Sequence, residues 1–371
     1  MPRKFKSLCM YTGSNSAMKV WNGSTTALGG SETMAIKLAE QFANKFRYKV
    51  VVYCKCTSPT EDLSGEVNGV LYLPISNFDK DIQSKQWDIV IISRYANKLF
   101  QAYESKTVQK VYLWLHDIVP QCTSFPVCDK LKAIFCLSEW HKTYFCQQFN
   151  MEPERVFVTR NAINTILYED NTKQYKKVPN QFIYSSCPTR GLKRLIDMWP
   201  RIKANISTAT LKIFTNMDFF TDKHTQEEKD KLMQYISEHP EITLSPRIPQ
   251  EQLAKEYLQS DYWLYPTDWP ETYCITALEA QASGCLVMCT KLASLPETVG
   301  NRGMVIEGDK DEEKFQENFL SELAFINRNP DLKKIYSENA RFWGLNQGYA
   351  TLAEEWVTKY FQDQPTEKSL E

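Results

Sequence analysis

The 371-residue sequence has little net charge, only four histidines and no long apolar run. Its 44 lysines and arginines nearly balance 45 aspartates and glutamates, so it offers no basic field for nucleic acid and no polybasic patch for anionic lipid. No run approaches the roughly 18 apolar residues of a membrane span, and the N-terminus lacks the apolar core of a signal peptide. We therefore expect neither nucleic-acid binding nor stable membrane insertion.

Cysteine is present, with eleven residues, but not in a pattern that indicates metal binding. Most lie in apolar, strand-like runs, as Cys9, Cys136 and Cys289 do. This placement is typical of reduced, buried thiols in a cytoplasmic protein. The closely spaced pairs lack metal-knuckle spacing and neighbouring histidines, so we predict no zinc site.

The chain is longer than a single hydrophobic core usually allows, which favours two domains. Short β-rich runs alternate with helical patterns, and this alternation predicts parallel α/β units. The predicted strands cover 6–13, 48–55, 69–74, 87–93, 110–117, 133–139 and 155–163, then 181–188, 210–218, 241–246, 261–267, 285–290 and 303–308. We expect two doubly wound domains divided within 168–181, with a ligand cleft at the carboxyl ends of their strands.

Two loops of the first half are candidates for ligand contacts. Gly29 and Gly30 precede an amphipathic helix, where backbone amides can approach an anionic or polyhydroxylated ligand; a simple tight turn is the alternative. The G-x-G-x-x-G spacing of a dinucleotide site is absent. His116 and Asp117 end an apolar strand, and they either project into the cleft or have a structural role.

A basic cluster follows the first strand of the second half, at Arg190, Lys193 and Arg194. Arg190 and Lys193 share a face if the helix has already begun there. A cationic pair suits a diphosphate, and Gly191 lets the backbone turn. The alternative is a solvated basic helix start.

Two glutamates bracket a helix-forming stretch in "DWPETYCITALEAQASGC", residues 268–285. An ionised Glu279 is costly to bury among alanines and leucine without a partner, although a purely structural role is the alternative. If the helix begins at Thr272, its free amides and positive dipole end suit a diphosphate. Glu271 then lies beside the group attached to the phosphates, and Glu279 reaches another part of the ligand, such as a ribose diol.

The Glu-x7-Glu arrangement, together with the cleft, the cations and the paired glycines, closely resembles the retaining glycosyltransferases of the GT-B fold, family 4 type. The resemblance covers nearly the whole chain. It rests on residues 29–32, 137–145, 160–164, 250–300 and 342–356, and 250–300 is its most specific part.

The resemblance implies an α/β chain with the GT-B architecture, in which two Rossmann-like, doubly wound domains face each other across a cleft. Residues 1–170 would form the N-terminal acceptor domain and 171–345 the C-terminal nucleotide-sugar donor domain. A C-terminal helix at about 346–362 would cross back to the first domain, and 363–371 would form a polar tail.

The resemblance also implies roles for individual residues. Glu279 would bind the donor ribose, Glu271 the transferred sugar and Arg190 the diphosphate, while His116 would contact the sugar and Gly30 the phosphates or the acceptor. The implied donor site also includes Lys193, Thr272, Tyr273, Cys274 and Ile275. The sequence departs from the family pattern in two respects: Tyr184 and Ser185 stand where an arginine is common, and Thr272 replaces a glycine.

The expected reaction is transfer of a sugar from a UDP- or GDP-linked donor to a glycan or other hydroxyl acceptor, with retention of configuration and without a metal or other cofactor. The Asp-x-Asp strings at 79–81 and 309–311 lie in polar stretches and are read as chance. Alternatives are a GT-B phosphorylase and a catalytically silent carbohydrate-binding or scaffold protein; the glutamate pair disfavours an epimerase.

The acceptor is expected on the first domain, near the long connection 12–30. Long loops without structure of their own are usually functional. Trp21 within this loop offers a face on which a sugar ring can stack, in a phosphate or acceptor loop with Gly29 and Gly30; merely pinning the loop is the alternative.

Overall fold

A computed structural model describes residues 6–13, 28–57, 61–119, 125, 127–170 and 174–362. The chain divides into two compact units: unit 1 comprises Met1–Ala162 and Tyr349–Glu371, and unit 2 comprises Ile163–Gly348. The chain passes from unit 1 to unit 2 at Ile163 and back to unit 1 after Gly348. These two points are neighbours, because the Ile163 amide donates to the Gln347 carbonyl at 3.0 Å and Ile163 pairs with Gly348. The stretch 168–181 follows the first crossing and lies within unit 2.

The described residues of unit 1 form an eight-stranded sheet in the order β3-β4-β2-β1-β5-β6-β7-β8. Its strands are β1 (Ser7–Tyr11), β2 (Lys49–Cys54), β3 (Gly65–Val67), β4 (Val70–Pro74), β5 (Trp87–Ser93), β6 (Val108–Trp114), β7 (Leu131–Cys136) and β8 (Val156–Val158). All pairings are parallel except that of β3 with β4. Runs such as Val-Val-Val-Tyr in β2 are nearly continuous in apolar residues, as expected for strands covered on both faces.

Strand β3 is not among the predicted strands. It forms a hairpin with β4 through the two-residue turn Asn68–Gly69, in which both residues have positive φ (50° and 78°). Asn-Gly between two short runs is the strongest local signal for such a turn, so the sequence did contain evidence for this strand.

Unit 2 contains a six-stranded parallel sheet in the order β11-β10-β9-β12-β13-β14. Its strands are β9 (Gln181–Tyr184), β10 (Thr210–Phe214), β11 (Ile242–Ser245), β12 (Tyr262–Tyr265), β13 (Leu286–Lys291) and β14 (Met304–Glu307). The prediction of two parallel α/β sheets is confirmed.

The α-helices of the described residues lie between most of these strands, and the last three follow β14. They are α1 (Gly30–Asn44), α2 (Phe78–Ser84), α3 (Leu99–Glu104), α4 (Glu139–Phe149), α5 (Leu192–Asn205), α6 (Gln226–Glu238), α7 (Gln250–Gln259), α8 (Ile275–Ser283), α9 (Leu295–Val299), α10 (Glu312–Asn327), α11 (Pro330–Gly344) and α12 (Tyr349–Trp356). None of the helices in this part of the chain has the length and apolar content that crossing a membrane requires.

The last helix, α12, returns to unit 1 and packs on its sheet. Trp356 is fully buried, with its ring centroid 4.4 Å from that of Phe135 and 5.1 Å from that of Trp114. Its indole N–H donates to the Thr159 hydroxyl at 2.7 Å. Aromatic packing and a satisfied indole thus attach the helix firmly. The expected return of a C-terminal helix to the first domain is confirmed.

Candidate functional site

The strand order of unit 2 identifies a topological switch point between β9 and β12. From β9 the chain continues to β10 and β11 on one side, whereas β12 leads to β13 and β14 on the other. The loops after these two strands therefore diverge, and open α/β sheets bind ligands in the crevice this divergence creates. Arg190 lies on the loop after β9, and Glu271 lies on the loop after β12. Both predicted residues are thus at the switch point.

Arg190 and Glu271 form an ion pair across this point. The Arg190 Nη1 atom lies 3.0 Å from Oε1 of Glu271 and 3.2 Å from Oε2. Tyr265, the last residue of β12, donates its hydroxyl to the same carboxylate at 2.7 Å. The Trp269 ring covers the guanidinium with its centroid 5.3 Å away. These contacts satisfy a carboxylate that is only 6% exposed, which would be costly to bury alone.

Arg190 and Tyr265, the two side chains that donate to Glu271, both stay protonated. Burial opposes the charge of Arg190, but Glu271 and Tyr265 outweigh burial and raise its pKa above the ordinary value. Burial, followed by the charge of Glu271, raises the pKa of Tyr265 well above its usual value. Glu271 therefore accepts hydrogen bonds from a permanent cation and a neutral hydroxyl.

The loop that carries Arg190 is held by the backbone as well as by the ion pair. The Tyr184 hydroxyl donates to the carbonyls of Cys187 (2.6 Å) and Arg190 (3.2 Å). Gly191 has φ of 93°, and a Cβ atom there would lie 2.8 Å from the Pro266 carbonyl oxygen. The loop after β9 therefore contacts the loop after β12 at Gly191, a position where only glycine fits.

We expect Gly191→Ala to destabilise unit 2 by about 1–3 kcal/mol, the cost of a strained backbone residue. The added methyl group must also displace the loop that leads to Glu271. Thermal denaturation measures the loss. Gly65→Ala, at another positive-φ glycine but with open space around it, is the matched control for the contribution of φ alone. Equal losses in the two variants would contradict the close contact.

The helix that carries Glu279 begins at Ile275, so the condition that it begin at Thr272 is not met. The carbonyl of Glu271, which would accept the first helical hydrogen bond in that case, instead accepts from the Ser294 amide at 3.2 Å. The chain bends at Thr272 and Tyr273, and Cys274 precedes the helix in an extended conformation, with φ −83° and ψ 104°. Thr272 and Tyr273 lie before the helix, and Cys274 and Ile275 are its N-cap and first residue.

Glu279 points into the packed side of α8 and is 4% exposed. Its carboxylate accepts hydrogen bonds from the Gln250 side chain, at the start of α7, and from the Tyr168 hydroxyl. Burial raises the pKa of Glu279 to about 7, against the lowering effect of these two donors. Polar partners thus surround the carboxylate that the sequence places among apolar neighbours.

The basic cluster at 190–194 is divided among three separate ion pairs. Helix α5 begins at Leu192, after Gly191, so the condition under which Arg190 and Lys193 would share a helical face is not met. Lys193 instead pairs with Asp197 at 2.7 Å on the exposed side of α5. Arg194 pairs with Glu312 at 2.5 Å, so Arg190 is the cation of this cluster that lies beside Glu271.

The Asp-x-Asp strings have structural partners. Asp311 caps α10, accepting from the amides of Glu313 and Lys314. Asp309 accepts from the Asp311 amide at 3.0 Å. In the other string, Asp79 pairs with Lys98, and Asp81 pairs with Lys85 and Tyr53. Within the described residues, no three His, Cys, Asp or Glu side chains are grouped as a metal would require.

The predicted residues of unit 1 lie at the carboxyl ends of its strands. His116 follows β6, is 7% exposed and packs against Trp114 with ring centroids 4.2 Å apart. Burial, and then the charge of Arg94, holds the pKa of His116 well below its usual value. Gly29 is the N-cap of α1 and Gly30 its first residue. Trp21 lies outside the described residues.

Sequence reasoning missed the partners that hold the two glutamates. Tyr265 ends the apolar run of β12, where it reads as core, yet its hydroxyl reaches Glu271 and Ser186. A tyrosine at the carboxyl end of a buried strand is a usable signal, because its hydroxyl needs a polar partner there. No local signal exists for Gln250.

Comparison with known proteins gives a family match over part of the chain and a fold match over almost all of it. Residues 173–343, most of unit 2, match the family model described as Glycosyl transferases group 1. This match spans less than half of the chain. No curated protein sequence matches.

Solved structures match the chain over almost its whole length. A glycosyltransferase from Rickettsia africae ESF-5 has a TM-score of 0.72 at 14% identity, with 95% of this chain and 97% of that chain covered. Sucrose-phosphate synthase from Thermosynechococcus elongatus has a TM-score of 0.69 at 13% identity, with 95% and 98% covered. The chain has the GT-B fold. Anabaena HepE, solved in complex with UDP and glucose, matches at 0.67 and 14% identity over 95% and 98%.

Within this GT-B fold, the segment that matches the family contains Arg190, Glu271 and Glu279. It excludes the described residues of unit 1, where His116, Gly29 and Gly30 lie. The family match therefore covers the unit whose strand order contains this switch point.

Proposed function

We propose that the protein is a glycosyltransferase that moves a sugar from a nucleoside diphosphate sugar to a hydroxyl group of a glycan or other acceptor. The supporting observation is the placement of Arg190 and Glu271 at the switch point of the unit that matches the glycosyltransferase family, with the buried Glu279 on the helix that follows. We further propose that configuration is retained, that no metal is needed, and that the enzyme belongs to the family 4 type.

The donor ribose is assigned to Glu279. A carboxylate accepts hydrogen bonds from both hydroxyls of a diol, and this one already accepts from two neutral donors. Ribose hydroxyls would take the place of Gln250 and Tyr168 as donors and would likewise favour the ionised form. Thr272, Tyr273, Cys274 and Ile275 would complete the donor site.

The leaving diphosphate is assigned to Arg190, with Lys193 contributing at longer range. Arg190 offers several N–H donors in fixed geometry, and only part of them are occupied by Glu271. In the transfer step the acceptor oxygen bonds to the anomeric carbon as the bond from that carbon to the phosphate oxygen breaks. The acceptor proton passes to the leaving phosphate, and Arg190 stabilises the charge that develops there.

Glu271 is assigned to the transferred sugar. Its carboxylate forms an ion pair with Arg190. When a diphosphate binds, Arg190 exchanges this carboxylate for phosphate oxygens, and Glu271 becomes available to sugar hydroxyls. The ion pair thus keeps both groups in position before the donor arrives, which limits the reorganisation during reaction.

We expect Glu271→Gln to lower the transfer rate at least about tenfold, since a charged hydrogen-bond acceptor for the sugar is lost. UDP affinity is expected to stay unchanged or to increase. In this variant Arg190 does not have to give up an ion pair with a carboxylate before it binds the phosphates. Single-turnover kinetics and calorimetry measure the two effects. A large loss of UDP affinity would argue against the assignment of Glu271 to the sugar.

The function is tested by incubating the protein with UDP- and GDP-sugars and a panel of glycans, with and without a chelator. Transfer to a glycan, undiminished by the chelator, supports the proposal. Nucleotide binding without any turnover supports the silent binding protein instead, and loss of activity with the chelator contradicts metal independence. The anomeric configuration of the product, read by NMR, tests retention.

The acceptor is assigned to unit 1, where Gly29, Gly30 and His116 lie at the strand ends. We place the enzyme in the cytoplasm, which is supported by the burial of Cys9, Cys136 and Cys289 in apolar strands. Near-neutral net charge supports a partner other than nucleic acid.

A further inference from the structure

Unit 1 has a switch point of its own, between β1 and β5. From β1 the chain moves to β2 on one side of the sheet, while β5 leads to β6, β7 and β8 on the other. Arg94 is the first residue after β5, and it has φ of 68°, a conformation that few residues other than glycine adopt. Its amide donates to the Trp114 carbonyl at 2.9 Å. Arg94 is thus fixed where doubly wound sheets bind ligands.

The Arg94 guanidinium lies between two carboxylates. Its Nε atom is 3.2 Å from Oδ2 of Asp117, and its Nη1 atom is 3.7 Å from Oε1 of Glu32. The Glu32 side chain is 7% exposed, that of Arg94 17% and that of Asp117 32%. Exposure therefore increases from Glu32 outward, and Asp117 and Arg94 are the members that a ligand can reach.

Glu32 is built into the first turn of α1. The Ser31 hydroxyl donates to its Oε1 atom at 2.9 Å, and a Cβ atom at Gly29 would lie only 2.2 Å from its Oε2 atom. Gly29 therefore leaves the space into which this carboxylate folds. The positive end of the helix dipole already faces a negative charge, which makes this helix start a poor site for a second anion.

The neighbouring histidines add no positive charge. Burial, and then the charge of Arg94, keeps the pKa of His116 well below its usual value, and burial lowers that of His141 to about 4. The His141 ring accepts from the Leu137 amide at 3.2 Å and bonds the Asp117 backbone, so it fixes the end of this segment. The group of Glu32, Arg94 and Asp117 thus brings two carboxyl groups together with one guanidinium.

We propose that Asp117 and Arg94 bind hydroxyl groups of an uncharged sugar acceptor, and that this site rejects acceptors carrying phosphate or carboxylate near the reacting hydroxyl. An acid and a guanidinium side by side offer an acceptor and several donors to neighbouring hydroxyls. An anionic substituent would meet two carboxylates and one already neutralised arginine, and such a like-charge contact discriminates between ligands. The inference rests on the proposed function and defines the class of its acceptor.

The test uses ligand-observed NMR on the whole protein saturated with UDP. The probes are a panel of neutral methyl glycosides and disaccharides, together with the 6-phosphates of the glycosides. We expect the neutral sugars to bind and their phosphates to bind at least about tenfold more weakly. Tighter binding of the phosphates, or binding by no neutral sugar, overturns the inference.

Variants separate a binding role from a structural one. Asp117→Asn is expected to weaken binding of the neutral sugars about tenfold, the cost of a charged hydrogen-bond acceptor, and to reduce discrimination against their phosphates. Asp309→Asn, on the surface of unit 2, is the control that leaves both unchanged. An unaltered ratio of neutral to phosphorylated binding in Asp117→Asn contradicts the inference even if affinity falls.

Calorimetry of UDP and GDP on the same samples separates the two proposals. If neither UDP nor GDP binds while the neutral sugars do, the proposed transferase function fails and the sugar site stands. If UDP binds and is turned over but the phosphates are preferred, the acceptor assignment alone fails. Gly29→Ala supplies a second variant of the site, because its methyl group displaces only the Glu32 carboxylate.

Discussion

Replacing Arg190 with alanine is expected to lower the transfer rate about 10²-fold, the scale for losing one preorganised group that stabilises charge in the transition state. Arg190 is the cation beside Glu271, and its loop is fixed by Tyr184 and Gly191. The same variant leaves the buried Glu271 with Tyr265 as its one remaining side-chain partner among the described residues, which also costs stability. Rates must therefore be expressed per folded protein, with folding monitored by circular dichroism.

Two other cations serve as comparisons for Arg190. Lys193→Ala is expected to cause a smaller loss, because its amine lies 2.7 Å from Asp197 on the exposed side of α5. Arg201→Ala removes an arginine of the same helix that pairs with Glu313 on the surface, and it should leave the rate unchanged. A wild-type rate in Arg190→Ala would mean that another group stabilises the leaving diphosphate.

Replacing Glu279 with glutamine should remove a large pH dependence of stability. Burial raises the pKa of this carboxyl from 4.5 to about 7 in the folded protein. Between these values the unfolded chain has released the proton while the folded protein still holds it, so stability falls as the pH rises towards 7. Above pH 7 the free energy of unfolding has fallen by its full amount, about 3 kcal/mol.

Glutamine retains the shape and an acceptor oxygen without the charge, so Glu279→Gln should gain stability relative to the wild type as the pH rises from 5 to 8. Scanning calorimetry across this range measures the difference. Tyr168→Phe is the companion variant, since it removes a donor that lowers the pKa of Glu279 and should move the loss to higher pH. A constant difference between wild type and Glu279→Gln at all pH values would contradict a raised pKa.

The sheets of both units could be predicted because parallel strands covered on both faces have a strong signal of their own. Runs such as Trp87–Ser93 and Leu286–Lys291 are apolar almost without interruption. The start of α8 could not be predicted in the same way. It depends on the Ser294 amide, which takes the Glu271 carbonyl and lies 23 positions away along the chain.

The charged residues of the candidate site could be predicted from the sequence, but the side chains that contact them could not. The position of Glu279 among apolar residues indicates a buried carboxylate, and the structure confirms its burial. Its bond to Gln250 and the pairing of Arg190 with Glu271 depend on contacts across 29 and 81 positions, for which local patterns carry no information. Arg94 was missed because its importance comes from strand order and a positive φ.

The most direct test of the central claim is a calorimetric titration of nucleoside diphosphates, UDP first, into the wild-type protein and into Glu279→Ala. The account places the ribose on Glu279 in unit 2, so it predicts saturable binding of one nucleotide per wild-type chain. It also predicts binding at least about tenfold weaker in Glu279→Ala, the loss expected for a charged hydrogen-bond acceptor. No binding of any nucleoside diphosphate to the wild type, or equal affinity in a folded Glu279→Ala, would contradict the account.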